Sequence, residues 1–184
     1  MLDSGAVKWQ FWLWWVVASS AGWIVGSPLG KAVAASGDLV VPRHHDAVGV
    51  AAAVIVLGVL QWMVLRRNVP QAAWWMLANI AAVAAALVFA MVVVAADMGL
   101  VVAAGGTVLG VLQWLVLRRQ VSQAGWWVLA STVGWVGGGF VSGISDTPIG
   151  LVVLGIAYGA ITATALVWLL RQSSPAAAME LPSA

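Results

Sequence analysis

The stretch Gly58–Arg67 reads GVLQWMVLRR, and it returns 52 residues later as Gly110–Arg119, which reads GVLQWLVLRR. A short turn and a pair of tryptophans follow each copy, Trp74-Trp75 after the first and Trp126-Trp127 after the second. A repeat of this length inside strongly apolar sequence is typical of membrane proteins that are built from duplicated helical hairpins. The repeat therefore predicts a fold made of hairpins that cross a membrane.

The pattern extends toward both ends of the chain. Near the N-terminus, Trp14-Trp15, Ala18-Ser19 and Gly22-Trp23 match Trp126-Trp127, Ala130-Ser131 and Gly134-Trp135 position for position. We therefore interpret the first apolar stretch as a repeat unit, although the small residues near Ala32 also resemble a signal-peptide cleavage site. Near the C-terminus, Trp168 aligns with Trp62 and Trp114, which places Val167 at the position of the glutamine.

The composition excludes several classes of protein. Hydrophobic residues make up 63% of the 184 residues and charged residues only 8%, whereas a soluble domain carries roughly 25% charged residues. The chain has no cysteine, which excludes disulfides, thiolate metal sites and iron–sulfur clusters. The net charge is +2, but the arginines fall at predicted helix ends, so we do not expect nucleic-acid binding.

Six apolar stretches are long enough for helices that cross a bilayer, which takes about 20 residues each. They cover residues 9–29, 47–65, 72–95, 98–117, 124–143 and 148–170. The prediction is an all-α fold, an integral membrane six-helix bundle made of three repeated helical hairpins. Residues 1–172 form a single transmembrane domain, and the Ala- and Pro-containing tail 173–184 is predicted to be disordered.

The charges predict the orientation of the bundle. Lys8, Arg66, Arg67, Arg118, Arg119 and Arg171 all fall on one side of a six-span arrangement. Lys31 and Arg43 fall on the other side, together with Asp38, Asp46, Asp97 and Asp146. Basic loops stay in the cytoplasm, so both termini and the tail are predicted to be cytoplasmic.

Thirteen tryptophans, most of them near the arginines, allow two interpretations. They can form a belt at the membrane interface, or they can form a stacking surface for a flat or long apolar ligand. Trp23 and Trp135 lie eight residues deeper than the Trp15 and Trp127 positions, so their indole N–H groups are expected to need internal partners.

Polar side chains at repeated positions are the other candidates for ligand binding. The glutamines Gln61 and Gln113 each lie five residues before an arginine pair, inside the apolar segment. Their amides either bond a neighbouring helix or hold a carbonyl or headgroup in a cavity. The full set of candidate ligand-binding residues is Gln61, Gln113, Trp23, Trp135, Trp62, Trp114, Asn79 and Ser131.

The arginine pairs and the glycines each have a structural explanation. Arg66, Arg67, Arg118 and Arg119 fit topology anchors, and their planar guanidinium groups also suit the phosphates of anionic lipids. Glycines four residues apart allow helices to approach closely. The glycine pattern occurs at Gly22-Gly26-Gly30, Gly106-Gly110, Gly134-Gly138 and Gly155-Gly159.

The residues that catalysis needs are missing from the predicted spans. None of the spans has an Asp, Glu, Lys, Arg or His in its interior, and such groups mark proton relays and intramembrane enzymes. His44 and His45 fall in a predicted outer loop and are interpreted as solvated rather than as metal ligands. We expect no catalytic residues, no metal and no enzymatic activity, and the sequence indicates no particular cofactor.

The string Gln-Trp-x-x-Leu-Arg-Arg, followed by Trp-Trp-Val-Leu-Ala-Ser-x-x-Gly-Trp, spans Gln113–Trp135. It resembles a group of uncharacterised bacterial multi-pass membrane proteins with repeated hairpins of this kind. The resemblance implies a membrane-embedded repeat fold in the bacterial cytoplasmic (inner) membrane and transfers no catalytic residues. The middle copy departs from the pattern, with Asn79 and Val83 in place of serine and tryptophan.

The sequence therefore predicts a non-enzymatic membrane protein. It is either an accessory or assembly subunit of a larger membrane complex, or a binder of an apolar ligand (lipid, quinone or pigment) at the inner leaflet. The expected partners are membrane lipids, other membrane protein subunits or an apolar small molecule. The alternatives are a facilitator or channel for a small neutral solute, with Gln61 and Gln113 along the path, and a sensor of bilayer state that uses the arginine pairs.

Overall fold

The computed structural model describes residues 4–37, 42–67, 69, 71–92, 98–121, 123–142 and 147–172. These residues form six helices and no strand, so the predicted all-α class is confirmed. The helices are α1 (Ser4–Ser36), α2 (Pro42–Leu65), α3 (Ala73–Val92), α4 (Met98–Leu117), α5 (Trp126–Ser142) and α6 (Pro148–Gln172). The predicted disordered tail and the predicted turns at Asp97 and Asp146 lie outside the described residues.

The first two helices are longer than the sequence predicted. Helix α1 continues through Pro28 to Ser36, where the prediction ended it at residue 29. Helix α2 begins at Pro42, so the prediction of a loop at His44 and His45 was wrong, and both lie in its first turn. Proline suits this position because a first-turn N–H has no helical partner.

The six helices form a closed ring in chain order. Each helix packs against the helix before it and the helix after it, and α6 packs against α1. Three large leucines, Leu65, Leu117 and Leu166, are fully buried near the ends of α2, α4 and α6. They belong to one apolar cluster with Trp15, Trp75 and Trp127, which come from α1, α3 and α5. The core therefore receives equivalent side chains from alternate helices.

Glycines lie where neighbouring helices approach each other. A Cβ on Gly22 would lie 2.6 Å from Leu57 Cβ, and one on Gly26 would collide with the Ala53 backbone. Similar contacts join four other pairs of neighbouring helices: Gly58 meets Asn79, Gly110 meets Ser131, Gly134 meets Tyr158 and Gly159 meets Ser19. Helix pairs at this distance have no room for a larger side chain, as the glycine spacing predicted.

The two loops that follow the repeat copies have the same backbone hydrogen bond at equivalent positions. The Val69 N–H donates to the Leu65 carbonyl at 2.9 Å, and the Val121 N–H donates to the Leu117 carbonyl at 2.9 Å. Both valines are buried, so each loop folds back onto the core. We call this end of the bundle, which carries residues 66–72, residues 118–125 and Arg171, the arginine end.

Among the described residues, two helical segments are long and apolar enough to cross a membrane, Asp46–Leu65 and Pro148–Gln172. Shorter apolar segments cover Ala73–Val88 and Ala104–Leu117. At the end of the bundle opposite the arginine end, Lys31 and Asp46 form a salt bridge of 2.9 Å between α1 and α2.

Candidate functional site

Each tryptophan pair is divided between the surface and the core. Trp14, Trp74 and Trp126 are 58%, 56% and 56% exposed, whereas Trp15, Trp75 and Trp127 are 0% exposed. Consecutive residues on a helix point about 100° apart, so one member of each pair can face outward while the next faces the axis. The pairs therefore serve two separate surfaces of the bundle.

The three inward tryptophans meet each other at the axis. Their ring centroids are 5.7 Å apart for Trp15 and Trp75, 6.1 Å for Trp15 and Trp127, and 5.3 Å for Trp75 and Trp127. All three contacts are edge-to-face, the arrangement that aligns the positive ring edge with the negative face of its neighbour. We call Trp15, Trp75 and Trp127 the tryptophan triad. It fills the axis at this level.

Every indole N–H of the triad has an acceptor on a neighbouring helix. Trp75 Nε1 donates to Gln61 Oε1 at 3.2 Å, and Trp127 Nε1 donates to Gln113 Oε1 at 3.0 Å. The two bonds join equivalent residues of the two repeat copies. Trp15 Nε1 donates to Thr162 Oγ1 at 3.1 Å, so a threonine takes the place of the glutamine in α6.

This bond corrects the sequence comparison of the third unit, which set Val167 against the glutamines. Thr162 follows Gly159 by three residues, as Gln61 follows Gly58. Gly159 also packs against Ser19 in the same way that Gly58 packs against Asn79. The prediction was wrong because it aligned tryptophans, and Trp168 is a half-exposed residue that packs against Trp126 with centroids 6.4 Å apart.

The buried polar candidates mostly bond protein groups. Gln61 Nε2 donates to Ser19 Oγ at 3.2 Å, and Asn79 Nδ2 donates to the Trp75 carbonyl at 2.7 Å. Ser131 Oγ donates to the Gly106 carbonyl at 3.3 Å. These bonds join neighbouring helices or turns of one helix, which favours the packing interpretation of these residues over a ligand cavity.

Trp62 and Trp114 are partly buried against the core and are covered by arginines one turn later. The Arg66 guanidinium carbon lies 5.1 Å from the Trp62 ring centroid, and that of Arg118 lies 5.2 Å from Trp114. A guanidinium over an indole face is attracted by the ring quadrupole. All four arginines are exposed, and in each pair the first member lies over a ring.

Trp23 and Trp135 pack together deeper in the bundle. Their ring centroids are 5.4 Å apart, and Trp135 lies 6.2 Å from the Tyr158 ring. Both indole N–H groups are buried without a hydrogen-bond partner, so the expected internal partner is not present. Sequence reasoning missed Tyr158, although it is the chain's one tyrosine and lies four residues before Thr162.

An apolar groove runs along the outside of the bundle between α5 and α6. Its volume is about 350 Å³, and Trp126, Leu129, Ala130, Val133, Ile161, Ala165 and Trp168 line it. A second depression of about 440 Å³, lined by Gln123, Gly125, Trp126 and Leu129, joins it at the α4–α5 loop. The groove therefore leads from the apolar helix faces to the arginine end.

Within the described residues, no group of three or more His, Asp or Glu side chains could hold a metal ion. Comparison with known proteins gives no match to a protein-family model, a curated protein or a solved structure. The resemblance to bacterial multi-pass proteins stays a prediction from the sequence, and the geometry carries the functional argument.

Proposed function

We propose that this protein is a non-enzymatic integral membrane protein that binds an anionic phospholipid at the inner leaflet. In this proposal all six helices span the bilayer as three hairpins, with both termini in the cytoplasm. The observation that carries it is the division of the tryptophan pairs at the arginine end. One ring of each pair closes the axis, and the other is exposed on the outside of the bundle, at the end that carries the arginines.

The outer surface supports the membrane-spanning part of the proposal. Large apolar side chains are exposed along the helices, among them Val25, Leu29 and Val33 on α1, Leu77, Ile80 and Val88 on α3, and Phe140, Ile149 and Ile156 on α5 and α6. Contiguous exposed apolar area of this extent marks a partner or a membrane. The described basic residues lie near helix ends and in the loops of the arginine end, as lipid would require.

The arginine end supports the choice of an anionic lipid. Arg66, Arg67, Arg118 and Arg119 are all exposed, and Arg66 and Arg118 also lie over indole rings. In the proposal, Arg119 contacts the lipid phosphate, because the α4–α5 loop that carries it forms one end of the groove. One acyl chain lies along the groove over Leu129, Val133 and Ile161, beside the contacting rings of Trp126 and Trp168, on an almost wholly apolar lining. The charge and the groove together fit an amphiphile better than a free apolar molecule.

The channel alternative needs a path along the axis. The tryptophan triad fills that axis, and its rings are fixed by hydrogen bonds to α2, α4 and α6. A closed, bonded axis favours a function on the outer surface, so we do not pursue this alternative.

Native mass spectrometry tests the proposal. The protein is released from bilayer nanodiscs that contain phosphatidylglycerol and phosphatidylcholine in equal amounts. We expect retained phosphatidylglycerol at a fixed stoichiometry. The double variant Arg118→Gln/Arg119→Gln should retain roughly 10- to 30-fold less, because each arginine near the surface contributes about 1 kcal/mol.

A second pair of variants tests the groove. Ala165→Phe fills the groove and should lower lipid retention, whereas Ala85→Phe adds the same ring to an exposed position on α3 and should not. Equal retention by all variants, or a protein without lipid, would contradict the proposal. A co-purified protein at fixed stoichiometry without lipid would favour an assembly subunit instead.

A further inference from the structure

Five buried polar atoms in the middle of the bundle have no hydrogen-bond partner in the protein. They are Trp23 Nε1, Asn79 Oδ1, Gln113 Nε2, Trp135 Nε1 and Tyr158 Oη. They belong to five different helices, α1, α3, α4, α5 and α6. Trp23, Asn79, Gln113 and Tyr158 are at most 5% exposed. Buried polar atoms are almost always paired with protein or with ordered water, so this concentration of unpaired atoms requires an explanation.

Three of these residues lie together on one side of the axis. The rings of Trp23 and Trp135 are in contact, and the Trp135 ring is in contact with Tyr158. The Tyr158 hydroxyl is also approached by the polar groups of Ser131, Gln61 and Trp135, although no neighbour meets hydrogen-bond geometry with it. Three of the unpaired atoms therefore belong to side chains that contact one another.

Comparison of the repeats explains the other two atoms. In the first pair of helices, Gln61 Nε2 donates to Ser19 Oγ. Gln113 is the counterpart of Gln61 in the repeat. Asn79 is the counterpart of Ser19, since Asn79 follows Trp75 by four residues and Ser19 follows Trp15 by four residues. Here the donor Gln113 Nε2 and the acceptor Asn79 Oδ1 are both unpaired. One molecule that accepts from an amide and donates to a carbonyl would complete the missing bond.

The third unit adds a hydroxyl that the others lack. Tyr158 precedes Thr162 by four residues, as Leu57 precedes Gln61 and Leu109 precedes Gln113. Leu57, Leu109 and Tyr158 are all buried at this level. The additional hydroxyl is therefore specific to the side of the bundle where tyrosine replaces leucine.

The packing restricts the size of an occupant. A Cβ on Gly106 would lie 2.5 Å from Trp135 Cβ, and a Cβ on Gly134 would lie 2.9 Å from Tyr158 Cδ2. The rings thus already press against the backbones of α4 and α5. A quinone or pigment ring would have to displace them, whereas a water molecule needs only two to four polar partners and little volume.

We infer that the middle of the bundle is a binding site for ordered water in two parts, one beside Trp23, Trp135 and Tyr158 and one between Gln113 and Asn79. Separate water molecules accept from the indole and phenol donors in the first part, and in the second a water accepts from Gln113 Nε2 and donates to Asn79 Oδ1. The site is separate from the surface on which we propose lipid binding. The tryptophan triad separates it from the arginine end.

Nuclear magnetic resonance on the full-length chain in nanodiscs tests this inference, with 15N-labelled tryptophan and cross-relaxation from water to the indole N–H groups. We expect water cross-peaks at Trp23 and Trp135. Trp75 and Trp127 are the controls, because they are fully buried and donate to glutamine oxygens, and they should show no cross-peak. Single Trp→Phe variants serve only to assign the signals.

A conservative variant provides a second measurement. Tyr158→Phe keeps the ring and removes the hydroxyl, so it should weaken the water cross-peak of Trp135 and leave Trp75 and Trp127 silent. Absence of water cross-peaks at both Trp23 and Trp135 in the unaltered chain would overturn the inference. So would an organic molecule retained in native mass spectra whose protons, rather than water, relax these two N–H groups.

Discussion

The bundle contains two sets of inward tryptophans that differ in their hydrogen bonds. At the arginine end, the three triad indoles each donate to a side chain on a neighbouring helix. Eight residues deeper, Trp23 and Trp135 pack against each other and donate to no protein group. The difference arises on the even-numbered helices, which offer Gln61, Gln113 and Thr162 at the first level.

At the deeper level those helices offer no such acceptor. Two turns before the glutamines and the threonine stand Val54, Gly106 and Gly155, all buried. The repeat thus places an inward tryptophan at both levels of the bundle. It places a side-chain acceptor for the indole N–H only at the level of the tryptophan triad. In this fold a tryptophan position and its partner position therefore vary independently.

The largest effect is expected when a triad ring is removed. Trp127→Ala should lower the free energy of unfolding by about 3–5 kcal/mol, because it leaves a cavity at the axis and an unpaired Gln113 oxygen. Trp126→Ala, one residue earlier and half exposed, should cost about 1 kcal/mol. Unfolding followed in mild detergent measures both changes. A larger loss at Trp126 would contradict the assignment of inward and outward rings.

Adding a methyl group beneath the deeper pair is expected to have the next largest effect. Gly106→Ala should destabilise the bundle by about 1–3 kcal/mol, because the new Cβ would collide with Trp135. Gly105→Ala meets nothing within 4 Å and should stabilise α4 by roughly 0.5–1 kcal/mol. Thermal unfolding of the two variants in the same detergent compares them. Equal shifts would show that Trp135 does not pack on α4.

The two glutamines are predicted to differ. Gln61 makes two hydrogen bonds to protein and Gln113 makes one. At about 1 kcal/mol for each bond in a membrane interior, Gln61→Leu should cost about 2 kcal/mol and Gln113→Leu about 1 kcal/mol. Equilibrium unfolding of the folded variants measures the difference. Equal costs would contradict the difference in protein partners.

The smallest effect concerns the threonine that replaces the glutamine in α6. Thr162→Val keeps the shape and removes the acceptor of Trp15, so we expect a loss of about 1 kcal/mol. Thr164→Val removes the exposed acceptor of Trp12 and should cost less, about 0.5 kcal/mol. The indole N–H resonance of Trp15 should shift only in the first variant. An unchanged Trp15 resonance would remove Thr162 from the triad.

Most of the helical framework could be predicted from the sequence because apolar length and repeat spacing report directly on helices. The prediction placed the start of α4 and the ends of α2 and α4 where the structure has them, at Met98, Leu65 and Leu117. It ended α1 at residue 29, seven residues before the observed end at Ser36. In the structure Gly30 packs on α2 and Lys31 pairs with Asp46, so tertiary contacts extend the helix.

The candidate site was predicted less well. Gln61 and Gln113 could be found because they are identical residues in identical strings. Thr162 and Tyr158 could not, because the third unit keeps the positions and changes the residue types, from glutamine to threonine and from leucine to tyrosine. The correspondence between α6 and the two glutamine helices becomes visible only in contacts between helices, such as that of Gly159 with Ser19.

The most direct test of the account is whether the outward tryptophans contact lipid while the triad is sealed from it. Fluorescence quenching by lipids brominated near the headgroup is measured for the unaltered chain and for Trp14→Phe/Trp74→Phe/Trp126→Phe, both in liposomes. We predict that the variant loses emission that brominated lipid quenches and keeps emission that neither lipid nor aqueous acrylamide reaches. The same quenched fraction in both proteins, or quenching of the outward rings by acrylamide instead of by lipid, would contradict the account.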